Sequence, residues 1–382
     1  MDNSVRIAIV TNPAGGGGMT KVILNLLRGL VARGFSPDLV LDCAQGKPYL
    51  DQVPAGVRVI DLRTQIGYGT LSAMKLVLPL VRYLQQEQPS IILSHLVFTN
   101  GVVAIARALA KVPVTLVFVE HLPLFNQNAG WQKPQSQVLR VLRNWLYRQA
   151  DAVVTVSQGM AQVLEAYLML KPGTVQVIYN PVVDESLWEN AQSPLNHAWF
   201  QAKQPPVLLA AGRLTGQKDF ATLIQAFAYL RAQRPVRLLI LGEGELRTKL
   251  EALVKQLNLE ADISLPGFVN NPYAYMSRVT AFVLSSRWEG LPTVLIEAIA
   301  CGCQVVSTDC PNGPSEILAA GKYGWLVPVG DVSALAEAMQ QAIDTPININ
   351  ELKVRSEDFT IERSVSQYLQ LLDLVKSRIG SF

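Results

Sequence analysis

The chain has 382 residues, 49% hydrophobic and 16% charged, with a net charge of +3. That length exceeds one ordinary core and that composition excludes a disordered chain, so two packed domains are expected. Four cysteines (Cys43, Cys301, Cys303, Cys310) without paired spacing, and only three histidines, argue against a structural zinc site and for a reduced, cytoplasmic setting. Charge is uneven along the chain. Residues 1–184 hold 16 Lys+Arg against 10 Asp+Glu, and the remainder 17 against 20. A basic first half suits an anionic partner or membrane surface, and ordinary scatter explains so small a difference equally well.

No secretory signal opens the chain: the apolar run Ile7–Val10 is too short for a signal core. Met74–Leu84 is interrupted by Lys75, Pro79 and Arg82, well short of the ~20 apolar residues that cross a bilayer. A soluble or peripheral protein is expected.

In chain order, strands are expected at Arg6–Val10, Asp38–Asp42, Val57–Asp61, Ile91–Ser94, Val114–Val119, Ala152–Val156 and Val175–Tyr179. A second series runs Val207–Ala211, Arg237–Leu241, Ile263–Pro266, Ala281–Leu284, Gln304–Thr308 and Gly324–Val327. Several are unbroken Val/Ile/Leu runs, the pattern of parallel strands buried on both faces. Helical periodicity lies between them, as in Thr20–Arg33, Phe220–Arg234 and Glu245–Leu257. Alternating strand and helix predicts doubly wound α/β domains. The stretch Asn180–Pro206 carries Pro181, Pro194, Pro205 and Pro206 without periodicity, so the boundary belongs there. The expected domains are residues 1–182 and 183–360, with the closing helix of 361–382 packing back on the first. Open parallel sheets bind ligands beyond the carboxyl ends of their strands, so the crevice between the halves is the expected site.

Four segments bear on chemistry. Gly15–Gly18 follow the first strand and open a helix, where bare backbone can approach an anion; a merely flexible turn is the alternative. Arg213 and Lys218 follow the first strand of the second half. They suit a diphosphate, Arg by a two-pronged grip and Lys as a point charge, or are a pair of solvated cations. Glu289 and Glu297 bracket a helix start, near Gly290–Thr293, whose free N–H groups can meet phosphate oxygens while the carboxylates take sugar hydroxyls. The plainer reading of Glu297 is a helix carboxylate near the N-terminus, worth ~0.5 kcal/mol. Lastly, Arg140, Arg143 and Arg148 lie among Val138, Leu139, Leu142, Trp145, Leu146 and Tyr147. Such a basic amphipathic helix over residues 137–148 suits an anionic membrane, or is a core helix with a charged outer face.

With these residues in place, the sequence resembles the retaining glycosyltransferases of family 4 over nearly its whole length. The Glu289-x7-Glu297 element, preceded by Ser285-Ser286-Arg287-Trp288, is the most specific match. Gly212-Arg213-Leu214, Lys218-Asp219, the glycine-rich first loop and Ile178-Tyr179-Asn180-Pro181 add to it. The resemblance implies a GT-B fold, two Rossmann-like doubly wound domains facing a central crevice. It implies that Arg213 and Lys218 hold the donor diphosphate, Glu297 the ribose hydroxyls and Glu289 the donor sugar. Gly290, Leu291, Pro292 and Thr293 would line the phosphates and sugar, Phe268 and Val269 the base, with Gly242 in the loop beside it. Gly16 and Gly17 would lie near the diphosphate, and His121, after Glu120, near the sugar, although a lone His is as often structural. One departure is Asn312, where many relatives have glycine. The loop Leu122–Gln135 is long and polar, suited to shaping an acceptor site or to being simply mobile.

No Asp-x-Asp signature occurs, and Glu243 with Glu245 is a weak substitute, so no metal or other cofactor is expected beyond the nucleotide-sugar donor. The resemblance further implies hexose transfer with retention, most often from UDP-glucose, to a glycan or lipid-linked acceptor in envelope or exopolysaccharide synthesis. Nucleic acid is not an expected partner. A non-catalytic nucleotide-sugar-binding protein, a sugar-nucleotide epimerase of the same fold and a nicotinamide oxidoreductase are the rival readings, the last lacking its glycine fingerprint.

Overall fold

The computed structural model describes residues 5–12, 17–65, 70–121 and 137–379, which form two compact units. Unit 1 comprises Met1–Pro181 with Ile361–Phe382, and unit 2 comprises Val182–Thr360. Among the described residues, thirteen strands form, and all coincide with expected segments to within a few residues.

Unit 1 holds β1 (Ile7–Val10), β2 (Asp38–Leu41), β3 (Arg58–Asp61), β4 (Ile91–His95), β5 (Thr115–Glu120), β6 (Ala152–Thr155) and β7 (Gln176–Val177). They lie parallel in the order β3-β2-β1-β4-β5-β6-β7. Alternate residues of β1 feed two cores. Ala8 and Val10 join Val40, Ile92, Leu116 and Phe118 on one face, beneath helices Val77–Glu87 and Val97–Ala110. Ile7 and Ile9 join Leu39, Leu93, Val117 and Val119 on the other, with helices Gly18–Ala32 and Ile361–Ile379. Burial on both faces is why these strands read as unbroken apolar runs. The two helices of the second face cross closely at Gly29, where a Cβ would stand 2.5 Å from Val365 Cγ2.

Unit 2 holds β8 (Val207–Ala211), β9 (Arg237–Leu241), β10 (Ile263–Gly267), β11 (Ala281–Leu284), β12 (Gln304–Thr308) and β13 (Trp325–Val327), in the parallel order β10-β9-β8-β11-β12-β13. Both sheets thus reverse direction beside their first strand, at β1/β4 and at β8/β11. Those are the switch points beyond which doubly wound sheets bind ligands. The doubly wound α/β class expected from the sequence is the one observed.

The aperiodic stretch after Asn180 proves more ordered than its prolines suggest. Helix Glu185–Ala191 starts there, capped by Asp184, whose carboxylate accepts from the Leu187 N–H at 3.1 Å. Its end is held by unit 2: Asn271 and Ser277 donate to the carbonyls of Asn190 and Ala191, and Trp188 donates to the Ala300 carbonyl. These bonds come from residues far along the chain, so local periodicity could not show the helix.

Candidate functional site

At the switch point of unit 2, the loops leaving β8 and β11 are zipped together. Ser285 Oγ donates to the Lys218 carbonyl at 2.8 Å, and the Arg287 N–H to the Gln217 carbonyl at 2.8 Å. Gln217 Nε2 returns a bond to the Trp288 carbonyl at 2.9 Å, and Arg287 Nε pairs with the buried Asp219 at 2.9 Å. Asp219 adopts φ +45°, a turn that aspartate tolerates better than most residues, and helix Phe220–Gln233 starts directly after it. The β12 loop joins in, with Thr308 Oγ1 donating to the Ser286 carbonyl at 2.6 Å.

This frame aims Lys218 at Glu289. Lys218 Nζ stands 2.5 Å from Glu289 Oε1, which also accepts from Ser286 Oγ at 2.7 Å. Among the described residues, Oε2 has only the longer 3.4 Å contact from Gln217. An ionised carboxylate accepts about four hydrogen bonds, so Glu289 keeps capacity for a hydroxyl while its position is fixed by three neighbours. Arg213 differs from Lys218: its side chain is exposed and has no hydrogen bond or ion pair among the described residues. The two cations expected as an equal pair are therefore one free guanidinium and one ammonium already bound to a carboxylate.

Helix Thr293–Ala300 begins behind Gly290, Leu291 and Pro292, with no side chain capping its first N–H groups. Glu297 is the fifth residue of that helix, beyond its first turn, so the helix dipole explains little of its placement. It is buried and accepts from the Tyr273 hydroxyl at 3.2 Å. Gly313, at φ +91°, lies against this start: a Cβ there would meet Pro292 Cδ at 2.6 Å. Its neighbour Asn312 has φ +65°. Asparagine tolerates that conformation, so the departure from glycine leaves the turn intact.

The loop leaving β9 presses on the β8 loop. Gly242 has φ +132°, and a Cβ on it would fall 2.0 Å from the Gly212 carbonyl oxygen. After β10, Phe268 stands 69% exposed with Val269 half-buried behind it. Glu243 is bound to Arg247 at 2.7 Å, and Arg247 also donates to the Leu265 carbonyl, which ties this region together. Among the described residues, no group of three or more His, Cys, Asp or Glu side chains is placed to hold a metal ion.

In unit 1, Gly16 and the loop Leu122–Gln135 lie outside the described residues. Gly17 is the exposed N-cap of helix Gly18–Ala32. His121, just after β5, is buried and faces His95 at the end of β4, with Nδ1 of His95 2.7 Å from Nε2 of His121. Burial pushes His121 down to about 4, opposed by a hydrogen bond with Asn180, and pushes His95 well below the ordinary imidazole value. Glu120 shows the opposite effect. Burial raises its carboxyl to about 7, against the hydrogen bonds donated by Tyr147 and by Asn100, the latter at 2.7 Å. Tyr147 ends helix Gln137–Tyr147, whose Val141 and Trp145 are 61% and 56% exposed beside the exposed Arg148. Among the described residues no helix is long and apolar enough to cross a membrane.

Gln217, Asp219, Ser286, Thr308 and Tyr273 acquire their places only through the sheet, as do His95, Asn100, Tyr147 and Asn180 in unit 1. A usable signal existed for His95: in the 1-4-5 strand order, the ends of β4 and β5 must be neighbours.

Comparison with known proteins follows the same division. The family model described as glycosyl transferases group 1 matches residues 195–358, and the one described as glycosyltransferase family 4 matches residues 16–186. A relative from Campylobacter jejuni, N-acetylgalactosamine-N,N'-diacetylbacillosaminyl-diphospho-undecaprenol 4-alpha-N-acetylgalactosaminyltransferase, is 33% identical over 241 residues. That match takes in 61% of this chain and 64% of the relative, a little under two thirds. The lipopolysaccharide 1,6-galactosyltransferase of Escherichia coli K12 is 24% identical over 359 residues, 92% of each chain. Among solved structures, Anabaena Alr3699/HepE in complex with UDP and glucose superposes with a TM-score of 0.74, covering 97% of this chain and 99% of that one. At 20% identity, that likeness shows the fold.

Proposed function

The chain belongs to the group 1 glycosyltransferases, and from that premise we propose that it transfers a hexose from a nucleotide diphosphate sugar to a glycan or lipid-linked acceptor during envelope or exopolysaccharide assembly. UDP-glucose is the first donor to test. The names of the Campylobacter and Escherichia relatives, a diphospho-undecaprenol-linked transferase and a lipopolysaccharide transferase, support the acceptor class.

The observation that carries the reading is Glu289, clamped by Lys218 and Ser286 at the β8/β11 switch point with one oxygen open to a hydroxyl. On this account Glu289 receives the donor sugar. Arg213, unengaged and exposed, grips the diphosphate with two prongs, and Lys218 turns from Glu289 to share its charge with the leaving phosphate. Backbone N–H groups of Gly290 and Thr293, at the start of helix Thr293–Ala300, add to that charge stabilisation. Glu297, steadied by Tyr273, takes ribose hydroxyls, and Phe268 and Val269 lie against the base, with Gly242 allowing the neighbouring loop to close in. Unit 1 would contribute Gly16 and Gly17, to the diphosphate and acceptor, and His121, to the sugar.

Charge on the departing diphosphate is met by Arg213, Lys218 and backbone dipoles, so no added metal is required. Retention of configuration, by same-face departure and attack through an oxocarbenium-like state, is the stereochemical part of the proposal. A cytoplasmic enzyme that rests on the inner membrane face through Val141, Trp145 and Arg148 would meet a lipid-linked acceptor there. Flotation with liposomes should then depend on anionic lipid, and indifference to lipid charge would remove that part. The central test is Glu289→Gln, which should lower turnover at least ~100-fold with the fold intact. Full activity in that variant would end the role given to Glu289.

A further inference from the structure

In unit 1, His95 and His121 form a pair that the donor chemistry does not use. Their ring centroids lie 5.0 Å apart with planes 21° apart, and Nδ1 of His95 lies 2.7 Å from Nε2 of His121, so the two rings meet edge to edge. Both are buried. A nitrogen–nitrogen contact that short holds one proton, since two N–H groups or two lone pairs would repel. The remaining nitrogen of His95, Nε2, is buried without a partner among the described residues. A bare nitrogen is less costly to bury unpartnered than an N–H, which favours His95 with its proton on Nδ1 as donor to Nε2 of His121, and His121 with its own proton on Nδ1.

A second observation lies one residue on. Leu96 has φ +81°, a conformation leucine rarely adopts, at the junction between β4 and helix Val97–Ala110. Strain of this kind persists where the surroundings over-determine it, and it commonly marks functional positions. Here it falls at the residue that follows His95.

We propose that His95 is a positioning residue for sugar transfer, acting through His121 by donating from Nδ1 to its Nε2 and so fixing the ring's orientation and tautomer. The proposal rests on the reading that unit 1 brings His121 to the reaction. With Nε2 committed to His95, His121 is not a general base through that nitrogen; it is a neutral, immobilised ring.

Two measurements on the full chain test this. The chain has three histidines, so imidazole ¹H–¹⁵N correlation spectra can be assigned by single substitutions. The expected wild-type result is His121 as the Nδ1–H tautomer with Nε2 as acceptor, shifting toward a mixture in His95→Leu. His121 found as the Nε2–H tautomer, or unmoved by His95→Leu, overturns the proposal. The second measurement is UDP release from UDP-glucose. His95→Leu should lower kcat on the order of 10- to 100-fold with KM for UDP-glucose within about twofold. His95→Asn places an amide N–H where Nδ1 stood and should recover kcat to within about threefold of wild type. Wild-type kcat in a folded His95→Leu protein, or no recovery in a folded His95→Asn protein, overturns it. If His95→Leu does not fold, the wild-type tautomer alone decides. Absence of UDP release by the wild-type chain counts against the donor reading and leaves the tautomer result to judge His95.

Discussion

The buried carboxyl of Glu120 gives this protein a pH response of unusual sign. An ordinary carboxylate contributes stability that is lost on acidification, whereas Glu120 titrates near 7 when folded against 4.5 in the open chain. Between those values the folded state holds a proton that the unfolded chain has released. Its contribution is therefore full below about 4.5 and is lost as pH rises through 7. At about 1.4 kcal/mol per pH unit, the change from pH 5 to pH 8 amounts to about 3 kcal/mol. His121 works the other way, because a folded value near 4 makes its neutral form costly to acidify below about 6.5. Total stability would show the two effects partly cancelled, so the informative quantity is a difference. Glu120→Gln keeps an oxygen for Asn100 and Tyr147 and removes the titration. Urea unfolding of unit 1, followed through the β5 amides, should show the Gln variant gaining about 3 kcal/mol on wild type between pH 5 and pH 8. A difference that stays flat across that range refutes the account of Glu120.

Other predictions concern unit 2. Lys218→Met strands the buried Glu289 carboxylate and should cost about 3 kcal/mol in urea unfolding, most of it recovered in the Lys218→Met/Glu289→Gln double variant. Equal stability of single and double variants would mean the ion pair does not hold the loops. Arg213→Lys keeps the charge and loses the two-pronged grip, so KM for UDP-glucose should rise about tenfold without loss of stability. Gly242→Ala forces a Cβ to within 2.0 Å of the Gly212 oxygen and should cost about 3 kcal/mol or more, read as a lowered melting temperature.

The strands were legible because the parallel sheets bury both faces: Val207–Ala211, Arg237–Leu241 and Ala281–Leu284 begin and end at the residues expected from the sequence. Helix starts were less so. Gly18–Ala32 begins two residues before Thr20 because Gly17, without a capping side chain, is its N-cap. In unit 2, spacing could place Glu289 and Glu297 around a helix start and Arg213 and Lys218 after a strand. It could not reveal that Lys218 binds Glu289, a contact spanning 71 positions and made by the adjacency of β8 and β11. The same holds for His95 and His121, 26 positions apart and joined by the β4–β5 pairing. Partnerships of this kind live in the strand order, which periodicity implies only as a class.

The most direct test of donor chemistry in unit 2 is nucleotide release by the purified full chain from UDP-, GDP- and ADP-sugars, with and without lipid-linked acceptors, beside Glu289→Gln. The account predicts that UDP-glucose yields free UDP, that acceptor accelerates it, and that Glu289→Gln lowers the rate at least ~100-fold. No nucleotide diphosphate from any donor, or undiminished release by the Glu289→Gln protein, would contradict it.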